Sequence, residues 1–137
     1  MNQFPSKNYF TLPNEIFSLG LDASEIAVYA YLRCLENRRT YQCWPSYTTI
    51  GNAVDRAKNT VMRYVDALAE KGLICTEPTS VLMRSGIKKN GNLRYTLMPI
   101  REAVELFHDR QMAAVERAAE RQRVQRKLSA MDLLLGA

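Results

Sequence analysis

Apolar and polar positions between residues 46 and 74 follow two helical periods in succession, with a short polar break between them. In the second period the apolar residues lie at i, i+4 and i+7 and therefore share one face. Ser46 precedes the first period and offers a hydroxyl that can cap a helix. The pattern predicts two helices joined by a tight turn. Their apolar positions are Ile50, Ala53 and Val54, then Val61, Val65 and Leu68.

The residues at the break and at the end of the second helix support this prediction. Asp55 and Arg56 fall where the chain must turn, and Asp tolerates the left-handed conformation better than most residues. The helical pattern resumes at Ala57, which has no side-chain oxygen for capping. Gly72 stands where a helix-ending glycine is expected, and Lys71 complements the helix dipole.

Residues 73–77 and 92–98 follow the helix pair and are predicted to be strands, the second with clear alternation. The segment between them is rich in Gly, Ser, Asn and Pro, which favour turns. From residue 79 to residue 98, which covers this segment and the second strand, there is no Asp or Glu. The two strands and their long basic loop predict an antiparallel wing. The basic residues in this stretch are Arg84, Lys88, Lys89 and Arg94.

Residues before this region predict a short strand, a turn or two of helix over residues 14–19 that ends at Gly20, and one longer helix. Tyr9 to Leu12 is a strand candidate. Either Asp22 or Ser24 can cap a helix that runs to about Asn37. A loop is expected to follow through residues 38–44, while residues 1–8 are expected to be unstructured.

The chain after Pro99 has the character of one long helix, because no Gly or Pro occurs before Gly136. Apolar residues recur at seven-residue intervals, with interruptions at Arg121 and Gln125. Two interpretations stay open: a seam for self-association or partner docking, and a solvated helix with a short docking face. The leucines at 133–135 favour a partner. The apolar line comprises Ile100, Phe107, Ala114, Leu128 and Leu135.

The segments Pro-Ser-Tyr-x-Thr-Ile at 45–50 and Asn-Thr-Val-x-Arg-x-Val-x-x-Leu-x-x-Lys-Gly-Leu-Ile at 59–74 resemble the winged helix-turn-helix core of bacterial, plasmid and phage DNA-binding proteins. Small helix-turn-helix proteins of mobile elements and the N-terminal domains of some replication initiators share this pattern. The chain departs from it at Ala57, where Ser is common, and at Asp55, where Gly is common. The resemblance implies an α+β, mainly helical winged helix-turn-helix with a two-stranded wing over residues 9–98. Residues 99–137 would add the long C-terminal helix.

The resemblance also implies which residues contact double-stranded DNA. Asn can pair with adenine and Arg with guanine in the major groove, so residues at the start of the second helix are candidates for base contacts. Basic wing residues and the start of the first helix are candidates for phosphate contacts. The complete set is Ser46, Tyr47, Thr48, Lys58, Asn59, Thr60, Arg63, Arg84, Lys88 and Lys89.

Composition agrees with such a partner and argues against catalysis. The net charge of +5 over 137 residues suits a polyanion. His108 is the only histidine, and it has no Cys or His near it in the sequence to complete a usual zinc site. Metal-dependent nickases need a histidine pair, and Ser-His-Asp or Cys-His catalysis would rest on this one residue. Gly86 and Gly91 have the spacing of a phosphate-binding loop but lack the Lys-Ser or Lys-Thr that follows it. We therefore expect no enzyme activity, cofactor or metal.

Three widely spaced cysteines without a pairing motif, and the lack of a leader or an apolar span, predict a cytoplasmic protein. Three roles remain open at this point. The first is a transcriptional regulator that binds DNA as a homodimer through the C-terminal helix. The second is a replication-initiation or partition accessory, and the third is a winged helix that docks other proteins.

Overall fold

The structure is a computed structural model that describes residues 8–136, so the expectation for residues 1–7 lies outside it. The chain divides into two compact units, Met1–Val104 and Glu105–Ala137. The first unit holds all the strands and all but one of the helices among the described residues, together with the start of the last helix. The helices are a short 3-10 helix at Asn14–Ser18, then α1 at Ala23–Leu35, α2 at Tyr47–Val54, α3 at Lys58–Glu70 and α4 at Ile100–Leu135.

Five strands form two antiparallel sheets. They are β1 at Gln42–Cys43, β2 at Ile74–Glu77, β3 at Ser80–Leu82, β4 at Lys88–Asn90 and β5 at Arg94–Leu97. Strands β1, β5 and β2 form one sheet in that order, and β3 and β4 form a separate hairpin. The two predicted strands are confirmed as β2 and β5, with Ile74 opposite Leu97 and Glu77 opposite Arg94. The winged helix-turn-helix class and the long C-terminal helix are likewise confirmed.

The sequence interpretation was wrong in three places. Residues 9–12 form no strand and pair with no other strand, and the Thr11 carbonyl instead accepts from the Arg33 guanidinium on α1 at 3.0 Å. Gln42 and Cys43, expected in a loop, pair with β5 as the edge strand β1. The long loop of the wing contains β3 and β4.

The core of the first unit lies where α1, α2 and α3 meet the three-stranded sheet. Val61, Val65 and Leu68 are buried as the helical period predicts, and so is Ile50 on α2. Ala53, expected on the same face as Ile50, is exposed. Burial of these side chains supplies the main stabilising free energy of the unit. The largest side chains with almost no exposure are Tyr29, Tyr95, Ile16, Leu32, Ile50, Leu68 and Leu73.

An ion pair that the sequence period does not reveal joins the start of α1 to the end of α3. Asp22, rather than Ser24, caps α1 and forms a capping box with Glu25. The Glu25 carboxylate is buried and accepts from the Lys71 ammonium at 2.9 and 3.0 Å. Lys71 was expected only to complement the helix dipole. It also ties two helices together, 46 residues apart in the chain.

The second unit, residues 105–137, consists of the remainder of α4 over its described part. Most of its side chains are exposed, and the exposed ones include Val124, Leu128 and all three leucines at 133–135. Glu120 and Arg123 form an ion pair of 2.8 Å on its surface. Over residues 8–136 no helix is both long and apolar enough to span a membrane.

Candidate nucleic-acid interface

The turn between α2 and α3 is tight and has strict backbone requirements. Asp55 adopts the left-handed conformation, with φ 57° and ψ 54°, and its N–H donates to the Gly51 carbonyl. The Arg56 N–H donates to the same carbonyl at 2.9 Å. A Cβ on Gly51 would lie only 2.5 Å from the Arg56 carbonyl oxygen, so this position has no room for a side chain. The turn thereby fixes the orientation of α3 relative to α2.

The N-terminus of α3 is open to an anion. Its N-cap residue, Ala57, has the extended conformation of a cap, yet no side chain accepts a hydrogen bond from the first turn. The free N–H groups there and the helix dipole give this end partial positive charge. No acidic residue lies in the first turn, and Lys58 adds a full positive charge.

One face of α3 is buried and the opposite face is polar and exposed. Asn59 and Arg63 are both exposed and lie four residues apart, so they are neighbours on the helix surface. Thr60 is half-buried beside the core stripe and is less accessible than its two neighbours in the candidate set. The helix therefore places Asn59 and Arg63 side by side, with Lys58 in its first turn.

Two further residues of this exposed face, both expected from the helical period, lie outside the candidate set. The Met62 side chain is 38% exposed, and Asp66, four residues after it, is exposed as well. Met62 offers an apolar contact next to the candidate polar residues. Asp66 repels phosphate, and it marks the end of the surface that suits DNA. Their positions on the helix, rather than their residue types, indicate that they lie on this face.

The start of α2 lies in the same unit, but its three candidate residues differ in accessibility. The Ser46 hydroxyl accepts from the Thr49 N–H at 3.0 Å and shares a hydrogen bond with the Thr49 hydroxyl at 2.8 Å. It is therefore engaged as the helix cap. Tyr47 is half-buried, and burial raises the pKa of its phenol, with Asp66 adding to the shift. Thr48 is exposed.

The base of the wing is linked to the segment that precedes α2. The Asn92 side-chain amide donates to the Trp44 carbonyl at 3.1 Å, and the Thr79 hydroxyl donates to the Asn92 carbonyl. A cleft of about 310 Å³ lies here, lined by residues that include Tyr47 and Asn90. Sequence reasoning missed Asn92, since only the folded chain brings it to Trp44. The Trp44 side chain is 49% exposed.

Arg84, Lys88 and Lys89 are all exposed on the distal hairpin formed by β3 and β4. Arg94, also basic and in the same stretch, differs because its guanidinium pairs with Glu77 across β5 and β2. The hairpin therefore presents three of the four basic residues that the sequence shows in this stretch.

The described residues show no arrangement suited to metal chemistry. Across residues 8–136, no three His, Cys, Asp or Glu side chains are grouped so that they could hold a metal ion. His108 lies exposed on α4, and its ring meets that of Phe107 edge to face.

Comparisons with known proteins agree with this architecture. Residues 19–74 match a family described as a helix-turn-helix domain. No curated protein matches the chain. A solved structure described as a possible transcriptional regulator from Methanosarcina mazei Go1 is similar in fold, with a TM-score of 0.50 and 12% identity over 85% of this chain and 97% of that one.

Two further solved structures are more distant in shape. One is a transcriptional regulator of the MarR family from Silicibacter pomeroyi, with a TM-score of 0.42 and 21% identity over 86% of this chain and 75% of that one. The other is a multiple antibiotic-resistance repressor (MarR) from Listeria monocytogenes 4b F2365, with a TM-score of 0.42 and 17% identity over 88% and 78% of the two chains. The family match and the geometry agree that residues 19–74 form a helix-turn-helix domain, which β2 and β5 extend into a winged helix-turn-helix fold.

Proposed function

We propose that this protein binds specific sequences in double-stranded DNA and regulates transcription, without catalysis. The observation that carries this is the presentation of α3: a tight turn holds its uncapped, basic N-terminus next to an exposed polar face. The match to a helix-turn-helix family supports the same role. We assign DNA binding to residues 9–98. We further propose that the protein is cytoplasmic and belongs to a bacterial or mobile-element system.

Base contacts are assigned to the exposed start of α3. Arg63 can donate two hydrogen bonds to a guanine, and Asn59 can pair with an adenine. Thr60 is half-buried, so we assign it only a DNA contact at the edge of the exposed face of α3. Recognition helices contact base edges from their N-terminal residues, which is where these side chains lie.

Phosphate contacts are assigned to the residues around this helix. Lys58 and the free amides of the α3 N-terminus suit one phosphate. Thr48, with Tyr47 and the amides near Ser46, suits another at the start of α2. On the wing, Arg84, Lys88 and Lys89 are exposed and suit the DNA backbone or the minor groove.

Regulation of transcription is proposed from a structural likeness, and a homodimer is proposed from the surface of α4. The structure from Methanosarcina mazei, which shares this fold over 85% of the chain, is described as a possible transcriptional regulator. A helix-turn-helix protein that acts on palindromic sites needs two copies, and residues 99–137 offer a surface for pairing. Exposed apolar side chains on α4 support a homodimer, since such groups are normally covered.

Electrophoretic mobility shift on a random-sequence duplex library tests the proposal. We expect binding at ~50 mM salt, with the logarithm of the affinity falling linearly with the logarithm of salt concentration. On the selected site, Arg63→Ala should weaken binding by about 1–3 kcal/mol and relax the preference for one base pair. Replacing Lys88 and Lys89 together by Ala should weaken binding to all sequences and lower the salt slope by about 0.9 per lost phosphate contact.

Arg126→Ala is the matched control, because Arg126 is exposed on the side of α4 opposite the apolar line and lies outside the assigned contacts. It should leave both the affinity and the base preference unchanged. Failure of the wild-type protein to bind any duplex at low salt would refute DNA binding. Equal effects of Arg63→Ala and Arg126→Ala would refute the assignment of base contacts to α3.

A further inference from the structure

The distal hairpin of the wing exposes apolar side chains that the described part of the chain leaves uncovered. Leu82 is 70% exposed and Ile87 67%, and Val81 and Met83 are 53% and 45% exposed. A hairpin that only bound phosphates would need its basic side chains but would have no use for this cluster of exposed apolar side chains. Exposed apolar groups at a hairpin tip favour aggregation unless a partner accepts them. Their presence indicates a partner with an apolar interior.

The hairpin ends in a narrow tip. The Met83 N–H donates to the Ile87 carbonyl at 2.9 Å, and the Gly86 N–H donates to the Met83 carbonyl at 2.9 Å. Gly86 has φ 83°, so the tip closes as a three-residue loop with glycine in the left-handed conformation. Only two strands and this short loop form the end of the wing.

Apolar and cationic side chains are paired across this tip. Leu82 is opposite Lys88, and Val81 is opposite Lys89. Directly opposed residues of an antiparallel pair lie on the same face, so each face of the hairpin carries one apolar side chain beside one ammonium group. Arg84 adds a third cation in the loop itself. The two faces are therefore equivalent in chemistry.

This combination is complementary to the minor groove of duplex DNA. Its walls are rows of phosphates, which suit the cations on both faces. Its floor consists of base edges, and the apolar faces of the bases lie between the stacked base pairs. Proteins that bind there insert apolar side chains between base pairs, which unstacks the step and bends the duplex. No acidic residue occurs from residue 79 to residue 98 to oppose the approach.

The hairpin is also continuous with the interface assigned above. Asn92, at its base, is hydrogen bonded to the Trp44 carbonyl just before α2, so the wing is anchored beside the helix-turn-helix. An anionic lipid surface would accept the same side chains. Anchoring next to the assigned DNA contacts favours the duplex over the lipid.

We propose that the wing tip inserts Leu82 and Ile87 into the minor groove, where they part a base step and bend the DNA. Lys88, Lys89 and Arg84 hold the phosphates on either side of the groove. This inference rests on the proposed DNA binding and adds a specific mechanical role to it. The protein then recognises sequences partly through how easily they bend.

The test uses a duplex selected by the wild-type protein from a random-sequence library, carrying a fluorophore at each end. Fluorescence energy transfer reports the bend, and 2-aminopurine placed in the stretch next to the recognition site reports unstacking. We expect a bend of roughly 20–90° and a rise in 2-aminopurine fluorescence for the wild type. The full chain with Leu82→Ser and Ile87→Ser should bind the duplex with the same salt slope but lose most of the bend and the fluorescence rise.

Two controls separate the insertion of Leu82 and Ile87, called the wedge below, from other effects. Phe17→Ser changes a side chain that is 77% exposed on the 3-10 helix, and it should leave the bend unchanged. Replacing Lys88 and Lys89 by Ala should weaken binding, yet the saturated complex should still be bent. Circular dichroism of each variant should match the wild type, because the substituted side chains are exposed.

Several outcomes would overturn the inference. A bound but unbent wild-type complex, or an equal bend with the double Ser variant, would remove the wedge while leaving DNA binding in place. Absence of any duplex binding would refute the proposed function and the wedge together. If vesicles containing phosphatidylserine bind the wild type but not the double Ser variant, and DNA is not bent, the tip contacts lipid instead.

Discussion

At the scale of single residues, the three cysteines show how surroundings set reactivity. Cys43 is buried, its thiol donates to the Leu32 carbonyl at 3.8 Å, and burial raises its pKa to about 12, with Glu36 adding to the shift. Burial also raises the pKa of Cys34. Cys75 is exposed on β2. Since the thiolate is the nucleophile, we expect Cys43 to react slowly in the folded chain.

Alkylation by iodoacetamide at about pH 8 tests this difference. At that pH only about one Cys43 thiol in ten thousand is ionised, so Cys75 should be modified first and Cys43 last. Mass spectrometry of peptides over time measures the three rates. Unfolding in guanidinium is the control and should bring the rates together. Native rates for Cys43 and Cys75 that agree within about tenfold would contradict the burial and raised pKa of Cys43.

At the scale of elements, local signals in the sequence were sufficient wherever the determining contacts are local. The buried stripe of α3, the left-handed Asp55 and the glycine that ends α3 all followed from spacing and residue type. At that end the Leu73 N–H donates to the Leu68 carbonyl at 3.1 Å and the Gly72 N–H to the Ala69 carbonyl at 3.1 Å, which is the Schellman arrangement.

Contacts between distant residues could not be predicted in the same way. Strand β1 exists because Gln42 and Cys43 meet β5, more than 50 residues later. A two-residue strand carries too little alternation to be recognised from sequence. The β3–β4 hairpin was hidden among turn-forming residues. Residues 9–12 suggested a strand, but they find no partner strand, and the Thr11 carbonyl accepts from Arg33 instead. For the candidate site, residue types and the helical period were informative, but the hydrogen bond from Asn92 that anchors the wing required the folded chain.

The N-terminus of α3 offers a prediction at this scale. Ala57 already has the backbone conformation of a cap, with φ −67° and ψ 152°, but lacks an acceptor. Ala57→Ser supplies one and should raise the free energy of unfolding by about 1 kcal/mol. Urea denaturation measures the change. Ala53→Ser, at an exposed position inside α2, is the control and should lower stability by a few tenths of a kcal/mol, about the cost of helix propensity. Equal effects of the two substitutions would show that the serine at position 57 forms no cap.

At the scale of the whole molecule, the two compact units differ in what they can do alone. The first has a buried core and the proposed DNA contacts. The second is helical throughout its described part and exposes apolar residues along its length, including Val124, Leu128 and Met131. A single exposed helix has no core of its own, and its apolar groups gain stability only when another surface covers them. Charged residues that interrupt the apolar line, such as Arg121, would weaken an association through it.

Sedimentation equilibrium of the full chain tests self-association through this helix. At about 50 µM we expect a population of dimers that grows with concentration, as mass action requires. Leu128→Lys places a charge in the apolar line and should shift the equilibrium to monomer, whereas Ser129→Lys adds the same charge to the next exposed position and should not. A chain ending at Val104 keeps the buried Ala103 of the first unit and should be monomeric.

The same variants connect assembly to DNA binding. A dimer places two helix-turn-helix units on half-sites about one turn of DNA apart, so the selected sequences should be palindromic with that spacing. Leu128→Lys should bind a single half-site as tightly as the wild type and lose the additional affinity for the paired site, because that gain comes from linking two binding events. If the wild type is monomeric and favours no paired site, residues 105–137 serve another partner and the homodimer is wrong.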